Sequence, residues 1–395
     1  MRAPLDPEAL AAAAAPFGSS LTLPGAAYTS PEVFAWDLRH LFAGAWTCVG
    51  RVDELRAGDV AQRALTVGDI GVLLTFGPAA RAFANVCRHR GHELLPAGGS
   101  ATREAVVCPY HGWAYRLDGT LTAATGMREV PGFDPAAHGL VELPVAEWQG
   151  WLLVNAAGGA PPFAEYVGAL DGLLQPYRCA DLLLGARHDY VVEANWKLIV
   201  ENYHECYHCP LIHPELCRVS PPSSGANWDL PGAWIGGSMD LRDHAETMSL
   251  DGTGTGVFID GAPRGTVSYT ALFPNLIVSA HPDYVMTHRL TPLAPDRTAV
   301  ECSWYFPPAA TDPSHAVDFW DVTNRQDWAA CESVQRGVTS PHFRPGPLAP
   351  KEDAVYQWTA LVARAYQDPS AALTQACRSP RPTAAGWQPD RRESR

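Results

Sequence analysis

The stretch ENYHECYHCPLIHPEL, residues 201–216, carries two overlapping metal-ligand patterns that cannot both operate. As His204-Glu205-x2-His208 it sets two imidazoles one helical turn apart around a carboxylate, the arrangement with which a zinc hydrolase holds its ion and activates water. As Glu205-x2-His208-x4-His213 it offers a carboxylate and two histidines to a different ion. On an unbroken helix His208 and His213 diverge by about 140°, so the second pattern needs a break. Pro210 supplies one, because proline lacks the amide donor and clashes with the preceding turn. A turn begun there brings both rings to one ion. In the extended zinc-protease pattern the glycine and third histidine would fall at Leu211 and Pro214, and neither matches.

A second constellation lies upstream in CRHRGHELLPAGGSATREAVVCPYH, residues 87–111: Cys87-x-His89, then Cys108-x2-His111. Four such ligands suffice for a structural zinc ion, although zinc sites more often arrive as Cys-x2-Cys and His-x3-His pairs. With one thiolate and one imidazole from each loop, two cysteines can hold one iron and two histidines the other, the ligand set of a Rieske [2Fe–2S] cluster. Gly91, Pro109 and Gly112 suit tight loops around such a cluster, and His92 falls outside the spacing.

The run CRHRGHELLPAGG…VVCPYHGWAYRLDG resembles the cluster-binding motif of Rieske non-haem iron oxygenases, and Asn195-Trp196-Lys197 followed by ENYHECYHCPLIHPE resembles the mononuclear-iron motif of their catalytic domain. The resemblance covers about Trp36 to Tyr366. It implies that Cys87, His89, Cys108 and His111 hold the [2Fe–2S] cluster, and that His208 and His213 ligate iron(II) in a two-histidine, one-carboxylate triad with open positions. It casts Glu205 as the acidic residue linking the two metal centres. In QDWAACESVQRG it places Asp327 as the third ligand, with Asp318, Asp321 and Glu332 as rivals. Asn202, one turn before Glu205, is a further contact to iron or its water. Cys206 and Cys209 read as buried thiols. The family passes electrons between subunits of a homotrimer, so Glu205 would meet His111 of the partner subunit. A glutamate at position 205 and the stretch PGAWIGGSMDLRDHAETMSLDG resemble the choline, glycine-betaine and stachydrine branch. Electrons must enter from an NAD(P)H-dependent reductase, because the chain carries no Gly-x-Gly-x2-Gly fingerprint and no plant-type ferredoxin cysteine run.

The rest of the chain must position these groups. Its 395 residues, 47% hydrophobic, are enough for two domains. With 29 basic against 42 acidic residues and a net charge of −13, it repels nucleic acid and anionic membrane. The N-terminal alanine run lacks a basic leader and contains Glu8, and no apolar run is long enough to span a bilayer, which makes cytoplasm the expected compartment. Ten cysteines then serve metals or fill core space. Residues 46–157 read as short strands broken by Gly, Asp and Pro, an all-β Rieske domain. Residues 1–45 form an N-terminal segment expected to pack with the catalytic domain at 158–366. There Asn195 caps the helix WKLIVENYHECYH, alternating strands fill about 266–306, and helical spacing returns in AVDFWDVTNRQDWAACESVQRG. Residues 367–395 read as a disordered tail. The fold class is α+β, an antiparallel sheet with helices against it.

For a quaternary ammonium substrate, aromatic faces supply cation–π attraction of about 0.5–2 kcal/mol per ring. Tyr203, Trp228, Trp234, Tyr269, Phe273 and Tyr284 are the candidates. The expected reaction is hydroxylation beside nitrogen, ending in N-demethylation or an aldehyde. Aromatic ring hydroxylation is the alternative that keeps the chemistry. A ferredoxin-type carrier explains only the first constellation, and a zinc hydrolase only the His204–His208 spacing.

Overall fold

A computed structural model describes residues 2–378. Two compact units divide the chain. Among the described residues, one comprises 35–163 with 273–275; the other comprises those up to 34, 164–272 and those from 276 onward. The N-terminal segment expected at 1–45 is therefore split: residues up to Phe34 belong with the catalytic unit, and Ala35 onward with the cluster-bearing one. The expected tail is also corrected, since Pro369–Arg378 is helical and follows the helix Asp353–Gln367 directly. Residues 379–395 lie outside the described residues.

The smaller unit is built of short antiparallel strands. Five of them, with Gln62–Val67, Ile70–Phe76 and Ala80–Ala84 at the centre, make one sheet, and Ala105–Val107, Ala114–Arg116 and Leu121–Ala123 make a three-stranded one. The alternation of Leu73, Phe83, Val106, Trp113 and Tyr115 turns one face inward around Cys87 and Cys108. The first cluster loop follows Ala84 directly; the second joins Val107 to Ala114.

In the larger unit seven strands form one antiparallel sheet: β1 (Leu183–Val192), β2 (Ala226–Asn227), β3 (Trp234–Asp240), β4 (Thr266–Leu272), β5 (Leu276–Ala280), β6 (Val285–Ala294) and β7 (Arg297–Phe306). Their spatial order is β1-β7-β6-β5-β4-β3-β2, so the first strand lies beside the last. Helix α1 (Trp196–Tyr203) begins where the Asn195 side chain accepts a hydrogen bond from the Lys197 amide at 3.1 Å. The one-turn helices α2 (Cys209–Ile212) and α3 (Pro214–Val219) follow. Helix α4 (Ser314–Val338) lies on the sheet through Ala316, Phe319 and Trp320, which pack with Met286, Trp304 and Phe306. Its buried residues recur as 316, 319, 320, 323, 324, 327, 328, 331, 335 and 338, a stripe with the period of a helix. Among the described residues no helix is long and apolar enough to cross a membrane.

Candidate active site

The helix breaks before both His208 and His213, not between them at Pro210. Helix α1 stops at Tyr203, where the Glu205 carboxylate accepts hydrogen bonds from the amides of Tyr207 and His208 and so takes over donors that a continuing helix would have satisfied. Pro210 begins a helix instead of ending one; it stands in the first turn of α2, where its missing amide costs nothing. His208 and His213 are the residues that cap α2 at its start and its end. A single helical turn thus brings their rings together edge-on, at 72° to one another, with Nε2 3.0 Å from Nε2.

Asp327 completes the group. Its Oδ1 lies 2.9 Å from His213 Nε2 and 3.4 Å from His208 Nε2. The ligand atoms of His208, His213 and Asp327 all fall within 4.8 Å of one another. Asp327 is 6% exposed because it stands on the buried stripe of α4, where an unpaired carboxylate would be costly. The rivals stand off that stripe. Asp318 is exposed, Asp321 binds Tyr190 and Arg325, and Glu332 accepts from the Glu193 amide. His204 is not in the group; it caps the end of α1, and its Nδ1 lies 2.9 Å from the Val200 carbonyl of that helix.

A layer of partners orients these three side chains. Glu205 Oε1 bonds His208 Nδ1, and Gln326 Oε1 bonds His213 Nδ1 at 2.7 Å. The Asn202 amide reaches Asp327 Oδ1 at 3.2 Å, and its oxygen accepts from the Cys331 thiol at 3.3 Å. Sequence reasoning missed Gln326, although its position next to Asp327 is a usable signal: adjacent residues at the rim of a buried helix face can reach one ring from two sides.

The site's electrostatics suit a cation. Burial pulls the His208 pKa down, but hydrogen bonds and charge from Asp327 and Glu205 outweigh it and carry it up to about 9. His213 is likewise lowered by burial and raised overall by Asp327. Burial raises the Asp327 carboxyl, and the two imidazoles more than offset this, leaving it below its ordinary value. Two imidazoles and one carboxylate around a pocket that favours positive charge fit an iron(II) ion. The Cys206–Cys209 disulfide is a correction, because sequence reasoning took both residues for thiols. Spacing of two residues between cysteines permits either state, and the tight turn around His208 brings the two side chains together.

The four residues expected to hold the cluster stand on two loops of one design. Cys87 N bonds the carbonyl of His92 and Gly91 N bonds that of Cys87; Cys108 N bonds the carbonyl of Trp113 and Gly112 N bonds that of Cys108. Each glycine follows its cysteine by four residues, with φ of +73° at Gly91 and +71° at Gly112, a left-handed conformation that favours glycine. Cys87 and Cys108 are each 2% exposed, and the His89 and His111 rings lie 4.7 Å apart between centroids. His89 stacks on Trp113 at 4.9 Å, and its Nδ1 is buried with no hydrogen-bond partner. Two buried thiols and an orphaned imidazole nitrogen fit a [2Fe–2S] cluster. Tyr115, not foreseen, places its hydroxyl 3.3 Å from the Cys87 sulfur, where it can tune cluster potential.

A cavity of about 570 Å³ opens on the triad. Beside the ligands, Asn202 and Glu205, it is lined by Tyr203, Tyr269 and Trp320. Tyr203 and Tyr269 ring centroids lie 6.1 Å apart, and those of Tyr269 and Trp320 6.4 Å apart. Of the foreseen aromatic candidates, Trp228, Trp234, Phe273 and Tyr284 do not line it, whereas Trp320 was not foreseen.

The family description "Rieske [2Fe-2S] domain" matches residues 45–134, and "Ring hydroxylating alpha subunit (catalytic domain)" matches residues 179–368. The chain is 32% identical over 370 residues to the glycine betaine monooxygenase oxygenase subunit of Chromohalobacter salexigens, covering 83% of this chain and 82% of that one. It is 39% identical over 201 residues to the carnitine monooxygenase oxygenase subunit of Acinetobacter baumannii, covering 49% and 53%. Its fold matches a quaternary ammonium Rieske monooxygenase solved with L-carnitine at a TM-score of 0.71, with 26% identity and coverage of 92% and 99%. Both domains in one chain, over a stretch shared nearly whole with such a relative, make this protein a member of the Rieske non-haem iron oxygenases, the oxygenase subunit that receives electrons from a separate reductase.

Proposed function

We propose that the chain is the terminal component of a monooxygenase that oxidises a small quaternary ammonium compound at an N-methyl group or the carbon next to nitrogen. The observation that carries this reading is the three-ring wall of Tyr203, Tyr269 and Trp320 in the cavity shared with His208, His213 and Asp327. Ring faces attract a methylated cation that cannot be hydrogen-bonded, and each contributes about 0.5–2 kcal/mol. Glu205, Asp327 and Asp353 add carboxylates to the lining, against Lys351 as its single lysine or arginine. The names of the relatives agree with this substrate class.

Iron(II) held by His208, His213 and Asp327 would supply oxygen activation, and a cluster held in the other unit would supply electrons singly. The protein's share is placement. Gln326 and Glu205 fix the outer nitrogens of the two ligand imidazoles, leaving the inner ones to face the metal. Asn202 holds Asp327. The cluster ligands are Cys87, His89, Cys108 and His111. In a homotrimer, Glu205 joins its own His208 to His111 of the partner subunit, giving a short path between centres; cytoplasm is the compartment.

Purified chain loaded with iron and cluster, given an NAD(P)H-dependent reductase, should consume oxygen and release formaldehyde or an amine plus aldehyde from betaine, carnitine or choline. Oxygen uptake tied instead to benzoate-like or phenolic compounds, with none on methylated amines, would reject the substrate class and leave ring hydroxylation.

A further inference from the structure

Cys206 and Cys209 are joined by a disulfide, with Cα atoms 4.9 Å apart, whereas Cys48, Cys87, Cys108, Cys179, Cys217, Cys302 and Cys331 are free. The two paired residues flank His208 and line the active-site cavity; none of these seven free cysteines does. Their exposure differs. Cys206 is half-buried, and Cys209 is only 3% exposed. With the bond closed, the metal site is still assembled: His208 and His213 lie Nε2 to Nε2 at 3.0 Å, Asp327 lies 2.9 Å from His213, and Glu205 bonds His208. Oxidation of this pair therefore does not dismantle the triad, which is what a reversible cycle in a working enzyme requires.

We propose that Cys206 and Cys209 form a redox-active dithiol that removes hydrogen peroxide released into the cavity when oxygen is reduced without oxidation of substrate. The proposal rests on the oxygenase reading of this cavity. Cys206, the more exposed sulfur, attacks peroxide as its thiolate: an S–O bond forms, the O–O bond breaks, and the departing hydroxide takes a proton to leave as water. Cys209 sulfur then attacks the Cys206 sulfenic acid, the S–S bond forms, and a second water leaves. Two thiols and one peroxide become one disulfide and two waters; peroxide gains the two electrons that the sulfur pair loses. A small or protein dithiol of the cell returns them by thiol–disulfide exchange.

Holoenzyme reduced with dithiothreitol, freed of reductant and given one equivalent of hydrogen peroxide tests this by alkylation and peptide mass mapping. The 206–209 disulfide should appear first, with Cys217 and the buried thiols still alkylated and iron content unchanged. Oxidation of Cys217 ahead of the pair, or loss of iron as the bond closes, overturns the proposal. In turnover with reductase but no substrate, C206S/C209S should lose activity several-fold faster than the wild type kept with dithiothreitol, each relative to its own starting rate, and catalase should remove the difference. Equal decay also overturns it. Should the double variant fail to fold, mapping of the wild type decides alone. Absence of oxygen uptake on every substrate would count against the oxygenase reading, while the peroxide titration would still judge the pair.

Discussion

Gln326 and Asp327, consecutive on α4, hold opposite nitrogens of one imidazole: Gln326 Oε1 lies 2.7 Å from His213 Nδ1, and Asp327 Oδ1 lies 2.9 Å from His213 Nε2. The amide fixes the tautomer that leaves Nε2 free for metal. Gln326→Leu should weaken iron retention roughly ten- to a hundred-fold, read as iron per protomer after dialysis against a graded chelator. The cluster's visible absorbance should not change. Equal iron content in both proteins would remove Gln326 from the site.

Glu205 bonds the other ligand's outer nitrogen and two backbone amides of the same turn. Glu205→Asp shortens the side chain by one methylene and cannot keep all three contacts. Reoxidation of the reduced cluster by oxygen, with substrate present, should slow by roughly ten-fold or more, as expected for losing a carboxylate that orients a metal-bound imidazole. Stopped-flow absorbance of the cluster measures this; an unchanged rate would argue against Glu205 as the link.

Trp320 forms one side of the aromatic wall. If each ring contributes about 0.5–2 kcal/mol to holding the cation, Trp320→Leu should raise KM for the quaternary amine by roughly 2- to 30-fold. Phenylalanine at the same position should recover part of that. Substrate titration of oxygen uptake is the measurement, and identical KM values for tryptophan and leucine would place the cation elsewhere.

Glu201 lies on α1 behind the site, with the Tyr28 hydroxyl donating to its carboxylate oxygens at 2.9 and 3.1 Å. Burial raises its pKa, the Tyr28 hydrogen bond and the Lys197 charge pull it back, and it settles at about 8 against an ordinary 4.5. The folded protein thus keeps a proton that the unfolded chain releases. Stability from this group is fully present below about 4.5 and is lost as pH rises towards 8. Glu201→Gln mimics the protonated form and should flatten the fall in Tm across that window. Parallel Tm-against-pH curves for the two proteins would count against the assignment.

Much of the site was legible because its residues are rare in such combinations. Cysteine and histidine paired twice at short spacing have few other uses, and His208 and His213 can share an ion only if they do not ride on one unbroken helix, a condition met by their places at the two caps of α2. Asp327 came from the family resemblance with Asp318, Asp321 and Glu332 as rivals, and the structure sets it on the buried stripe of α4 with those three off it. What spacing could not give was side-chain reach. The turn at Glu205 depends on a carboxylate competing for backbone amides, a contact that no propensity records. Trp320 reads as core from helical period alone, and it is both core and cavity wall. The pairing of Cys206 with Cys209 follows from that same turn. The helix over Pro369–Arg378 was lost among the proline and arginine residues that follow it.

The placement of β1 beside β7 bears on how the protein is made. As the nascent chain leaves the ribosome, Leu183–Val192 must wait for Arg297–Phe306, more than a hundred residues later, before it finds its neighbour. His208 and His213 emerge during that wait, and Asp327 emerges only after it. Iron captured early would meet an incomplete set of donors on an unfinished sheet. A chain cut short before Asp327 would carry both histidines without the carboxylate that closes the group of three donors.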